Sequence, residues 1–172
     1  MLVWSLQRAE GAMGRHRFHG DPERFEVLAA FIAECDWPDV RHIADVAGGQ
    51  GMLARVLSRR WGYAAEVIDP RGHTLRGIAG RAEPFAPAMA AYYDLIVGLH
   101  PDEATRAVAE AACVRRAILI PCCNFWSEAK LGQEALLQAI EAFYRERHVT
   151  WTRVVLPFKG PKNIALVSTP PG

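Results

Sequence analysis

The sequence predicts an α/β fold of three layers, a mostly parallel sheet covered by helices on both faces and closed by an antiparallel last strand. Three observations predict it. Short apolar runs alternate with segments of helical spacing along most of the chain. A glycine-rich turn, Ala47-Gly48-Gly49-Gln50-Gly51, joins the first such run directly to a helical segment. Two β-rich segments end the chain, joined by a turn short enough to pair them antiparallel.

Asp21-Pro22 reads as a helix start with proline at the first position, and Phe25, Leu28, Ala29 and Ile32 then share one face, giving a leading helix over 21–36. Ile43 to Val46 is the first core strand, and Met52, Leu53, Val56 and Leu57 return to helical spacing after the glycine turn. A second strand, Ala64 to Ile68, stops at Asp69-Pro70, and a weaker third lies near Ile78 to Phe85. Tyr93 to Leu99 is a buried strand, with Pro101-Asp102-Glu103 opening a helix that runs to about Cys113. Ala117 to Ile120 is the next strand, ended by Pro121. From about Ser127 the positions Ala129, Leu136, Leu137, Ile140, Phe143 and Tyr144 suit a long amphipathic helix. The closing pair is Thr150 to Phe158 and Asn163 to Thr169, linked by Lys159-Gly160-Pro161-Lys162.

With 172 residues the expectation is a single domain, an arm over 1–20 preceding the leading helix and a core over 41–169. No stretch approaches the ~18 apolar residues of a membrane span, and the N-terminus lacks a secretory pattern, so a cytoplasmic protein away from membranes is expected. Cys35, Cys113, Cys122 and Cys123 do not look like a disulfide framework and are expected as free thiols. A net charge of +1 favours no partner class, but Arg15-His16-Arg17-Phe18-His19 is a basic, aromatic cluster. Arg15 and Arg17 are the basis for RNA as one possible partner; a solvated surface run is the simpler reading. The oligomeric state is not encoded in any recognisable pattern.

Asp45 ends the first strand just before the glycine turn, and Asp69 ends the second about 20 residues later, where a carboxylate can accept hydrogen bonds from ribose hydroxyls. Gly49-Gln50-Gly51-Met52-Leu53-Ala54 also matches the nicotinamide fingerprint G-x-G-x-x-A, which keeps an NAD(P)-binding oxidoreductase as an alternative. Asp45 argues against it. A carboxylate before the turn repels a pyrophosphate at the helix N-terminus but suits a sulfonium and an α-amino group.

On these residues the chain from about Asp21 to Thr169 resembles the class I methyltransferases that use S-adenosylmethionine (SAM). The resemblance implies a Rossmann-like sheet of seven strands with the last reversed. It further implies that Asp45, Ala47, Gly49 and Gly51 surround the methionine end of SAM, that Asp69 holds the ribose and that Glu83 reaches the adenine. Gly48, Leu99 and His100 complete the candidate cofactor set. Ala47 stands where the family has its first glycine. The segments Leu99-His100-Pro101-Asp102-Glu103-Ala104-Thr105 and Pro121-Cys122-Cys123 are similar to a subgroup of these enzymes, some of which act on tRNA. The implied activity is methyl transfer to an acceptor the sequence leaves open, a small molecule or RNA. A non-catalytic SAM-binding domain is a further alternative.

The candidate catalytic residues lie at two strand ends. His100 is a possible general base, with Asp102 or Glu103 to orient it. Cys122 and Cys123 are candidate nucleophiles or small buried hydrophobes, and Asn124, Phe125 and Trp126 form a polar, aromatic edge that can stack on a planar acceptor or close the core. Neither C-x-x-C nor H-x-x-x-H spacing accompanies the cysteine pair, so no metal is expected.

Overall fold

The structure is a computed structural model in which residues 1–3 and 20–172 are described. Arg15, Arg17 and the rest of the basic cluster lie outside the described residues. The strands are β1 (Leu2–Val3), β2 (His42–Val46), β3 (Ala64–Ile68), β4 (Ala79–Arg81), β5 (Leu95–Leu99), β6 (Arg116–Ile120), β7 (Thr150–Val155) and β8 (Ile164–Thr169). The helices are α1 (Arg24–Glu34), α2 (Met52–Trp61), α3 (Thr105–Ala111) and α4 (Gln133–Glu146). Among the described residues all strands join one sheet in the order β1-β7-β8-β6-β5-β2-β3-β4, and β8 alone runs antiparallel to its neighbours.

Strand alternation divides the core between the two faces. On one face Ile43, Val67, Leu95, Val97, Ile118 and Ile120 meet Leu28, Ile32, Leu53 and Leu57 of α1 and α2. On the other, Ala44, Ile68, Ile96 and Leu119 meet Val108, Leu137, Ile140 and Tyr144 of α3 and α4. Because α2 leaves β2 on one face and α3 leaves β5 on the other, a crevice opens between the carboxyl ends of these adjacent strands.

Four expectations are corrected. Among the described residues the sheet has eight strands, not seven, because Leu2 and Val3 from the expected arm pair in parallel with Val154 and Val155. The weak third strand contracts to the three residues of β4. The segment after Pro101 starts as a 3-10 turn over Asp102–Ala104 before α3 begins. The long helix begins at Gln133 rather than near Ser127, because the Asn124 amide donates to the carbonyls of Ser127 and Ala129 and its oxygen accepts from Trp126 N–H. Such local side-chain bonds compete with helix formation.

Candidate functional site

The site is built on the turn between β2 and α2. Ala47, Gly49 and Gly51 all have positive φ, at 54°, 59° and 81°. Ala47 is thus an alanine in a conformation that favours glycine. Gly48 is required for a different reason. A Cβ there would sit 2.5 Å from the carboxyl carbon of Asp45, and at Gly51 it would sit 2.6 Å from a methyl of Val67. At Gly49 the nearest atom to a Cβ, on Arg71, is 3.8 Å away, so space is not what that position needs.

Asp45 is 1% exposed, and its Oδ2 accepts the Ala54 N–H at 3.1 Å. Burial pushes its carboxyl up to about 7, the Ala54 N–H opposes this, and the nearby Asp69 charge adds to it. Asp69, also 1% exposed, is the opposite case. Its two oxygens accept from Gly49 N–H (2.9 Å), Arg71 N–H (2.9 Å), Arg71 Nε (2.9 Å) and Arg71 Nη2 (2.7 Å). These bonds, those from the Arg71 side chain first, hold the carboxyl at about 2 in spite of burial. Four donors saturate a carboxylate. The position expected to hold ribose hydroxyls is therefore occupied by Arg71, whose side chain is 62% exposed.

Two hollows meet over this turn. One, of about 590 Å³, is lined by Asp45, Gly48, Gly49, Leu99, His100 and Cys122, with Arg24, Phe158 and the 159–162 turn across from them. The other, of about 490 Å³, has apolar walls from Ile68, Pro84, Phe85 and Phe125. Ala47, Arg71 and Asp102 line both. Glu83 is not in either wall; it faces Arg81 at 3.8 Å, and its neighbours Pro84 and Phe85 line the second hollow. A further hollow of about 550 Å³ between His42, Glu66, Arg81 and Tyr93 lies at the amino ends of the strands. There Glu66 already accepts from Arg81 and Tyr93, which leaves it no role in the crevice.

His100 has φ 54° and donates its backbone N–H to Ile120 O. Its Nε2 lies 2.8 Å from Lys162 O, an acceptor, so Nε2 carries the proton and Nδ1 keeps a lone pair. Burial lowers its pKa below the usual value. The Lys162 carbonyl, not Asp102 or Glu103, orients the ring. Asp102 Oδ1 instead accepts the Cys122 thiol at 3.0 Å. Burial, then this carboxylate, pushes the Cys122 thiol well above the ordinary range, which opposes a free thiolate nucleophile. Cys123 is exposed, with Lys162 Nζ 3.8 Å from its sulfur. Asn124 folds its own loop, and Trp126 packs on Phe143 beneath the Arg106 guanidinium; of that edge Phe125 reaches a hollow. The four cysteines are free.

Sequence reasoning passed over Arg71, Arg24, Phe158 and Lys162. Arg71 had a local signal, a cation two residues after Asp69. Arg24, Phe158 and Lys162 carry no such signal, because they reach the hollow from a helix and a hairpin distant in sequence.

No family model matches the chain, and no curated protein does. Solved structures do. The sugar N-methyltransferase KedS8 from Streptoalloteichus sp ATCC 53650 superposes with a TM-score of 0.55 at 12% identity, over 98% of this chain and 100% of that one. DesVI from Streptomyces venezuelae gives 0.58 at 11%, over 87% and 93%. A mutant of MtNAS in complex with S-adenosylmethionine gives 0.55 at 13%, over 87% of this chain and 62% of that one. What the chain shares with these proteins is their fold, the Rossmann-like α/β architecture found in methyltransferases.

Proposed function

We propose that the protein is a SAM-dependent methyltransferase whose cofactor lies across the carboxyl ends of β2, β3 and β5. The observation that carries this is Asp45, a buried carboxyl in the crevice wall whose one hydrogen bond among the described residues is from a backbone N–H. A carboxyl so placed favours a cationic ligand and opposes a pyrophosphate. SAM supplies a methyl group activated on a sulfonium. The residues fit it: Asp45 and the Gly48-Gly49 turn at the methionine end, Arg24 for its carboxylate, Asp69 for the ribose, and Ile68, Pro84, Phe85 and Phe125 around the adenine. Arg71 has to leave Asp69 for the ribose to bind; its guanidinium, 62% exposed, has solvent to move into, and the ribose hydroxyls replace its bonds to the buried carboxylate. Holding the acceptor in line with the methyl is the main contribution to rate. Neutral His100 offers Nδ1 to take a proton from the acceptor.

The acceptor class remains a small molecule or RNA, the latter resting on Arg15 and Arg17. Methyl-labelled SAM incubated with the protein and cell extract should label an acceptor. SAM binding without any labelling would instead support the non-catalytic alternative.

A specific observation favours a second reading. The Arg71 guanidinium at the ribose position is the feature that accommodates the 2′-phosphate of NADP. Arg71→Ala separates the two: SAM affinity should rise, because the two-point pair with the buried Asp69 carboxylate no longer has to be broken. Under the nicotinamide reading the same change weakens NADPH binding.

Asp45 sets a pH dependence. Its folded pKa, about 7, is above the unfolded value, so it contributes to folding stability at low pH and that contribution is lost as pH rises through 7. A cationic ligand needs the ionised form, so SAM affinity should fall by up to about tenfold per pH unit below 7. Titration calorimetry between pH 5.5 and 8 should show this slope, and it should vanish in Asp45→Asn.

A further inference from the structure

Two loops far apart in sequence bring three metal-ligating side chains together at the mouth of the crevice. Asp102 follows β5, and Cys122 and Cys123 follow β6. A carboxylate oxygen and both sulfurs lie within 4.8 Å of one another, with Cys122 Sγ 3.0 Å from Asp102 Oδ1 and 3.5 Å from Cys123 Sγ. Tetrahedral coordination by zinc, with Zn–S about 2.3 Å and Zn–O about 2.0 Å, separates two sulfurs by ~3.8 Å and a sulfur from an oxygen by ~3.5 Å. These two spacings open to the zinc values with shifts of about half an ångström or less, and the third, between the Asp102 oxygen and the Cys123 sulfur, lies within 4.8 Å. Two thiolates and a carboxylate bring three negative charges. A divalent cation leaves one, and Lys162 Nζ, 3.8 Å from Cys123 Sγ, stands beside it.

We propose that Asp102, Cys122 and Cys123 bind a thiophilic divalent cation, with zinc the ion best matched to two thiolates and one carboxylate. Binding replaces the two thiol protons, which pass to solvent. Three protein ligands leave a fourth position, as in catalytic rather than structural zinc sites. Asp102 and Cys122 both line the hollow that contains His100 and Lys162, so this position opens onto the crevice. It takes water or the thiolate of a crevice ligand. The site stands on its own geometry, independent of whether the crevice accepts SAM.

The test uses Co²⁺ as a spectroscopic probe on reduced, chelator-treated full-length protein. One equivalent should produce thiolate-to-cobalt charge-transfer absorption in the near ultraviolet, displaced by Zn²⁺. Cys122→Ser and Cys123→Ser should each remove about half of that absorption, one of two thiolates. Asp102→Asn should keep both sulfurs but weaken the affinity by about tenfold or more. Circular dichroism checks that each variant folds. Absence of the thiolate band in the folded wild type would overturn the proposal. So would an undiminished band in the Cys122→Ser/Cys123→Ser double variant, which would place the cation on Cys35 or Cys113. Both readouts are spectral, so neither depends on methyl transfer.

Discussion

Gly48→Ala is expected to remove SAM binding and to destabilise the fold by about 2–4 kcal/mol, combining overpacking with the loss of one buried hydrogen bond. The new methyl would overlap the Asp45 carboxyl at 2.5 Å. That carboxyl is 1% exposed and bonded to Ala54 N–H, so it yields only by giving up that bond. Displacing it breaks the bond and moves the charge that faces the ligand. A double-mutant cycle isolates the cause. Asp45→Ala added to Gly48→Ala should restore part of the stability, measured by urea unfolding, without restoring binding by calorimetry. Full binding in Gly48→Ala would show that the turn relaxes and that Asp45 is not held against it.

Asp69→Ala is expected to weaken SAM binding by about 10- to 150-fold, the range for lost hydrogen bonds to a charged group, about 1.5–3 kcal/mol. The same substitution leaves Gly49 N–H without its acceptor and releases Arg71, so stability also falls by about 1–3 kcal/mol. Because Asp69 is charged down to about pH 2, its contribution is present above its unfolded pKa and is lost only as pH falls toward 2. Calorimetry and thermal unfolding at neutral pH measure the two effects separately. Unchanged affinity would make Asp69 a purely structural clamp on Arg71.

Features of the site carried by short sequence spacings were legible before the structure. Asp45 and the glycine turn are adjacent in sequence, and the strand, turn and helix around them follow from the change of hydrophobic period. The reversed last strand was legible from the short 159–162 turn. What was not legible comes from contacts between distant segments or from elements too short to show a period. Leu2 and Val3 form a strand only because β7 offers an edge. The contact of Cys122 with Asp102 spans 20 residues, and His100 is oriented by a carbonyl 62 residues away. That Pro84 rather than Glu83 lines the hollow is not legible because β4 is three residues long, too short to fix which residue after it faces inward.

The central claim is that the crevice beside Asp45 accepts a cationic, phosphate-free cofactor. Titration calorimetry of the purified protein with SAM, NADH and NADPH at pH 8 tests it most directly. One site for SAM and no heat of binding from either nicotinamide is the predicted result, with Asp45→Asn weakening SAM. Binding of a nicotinamide cofactor with no binding of SAM would contradict it.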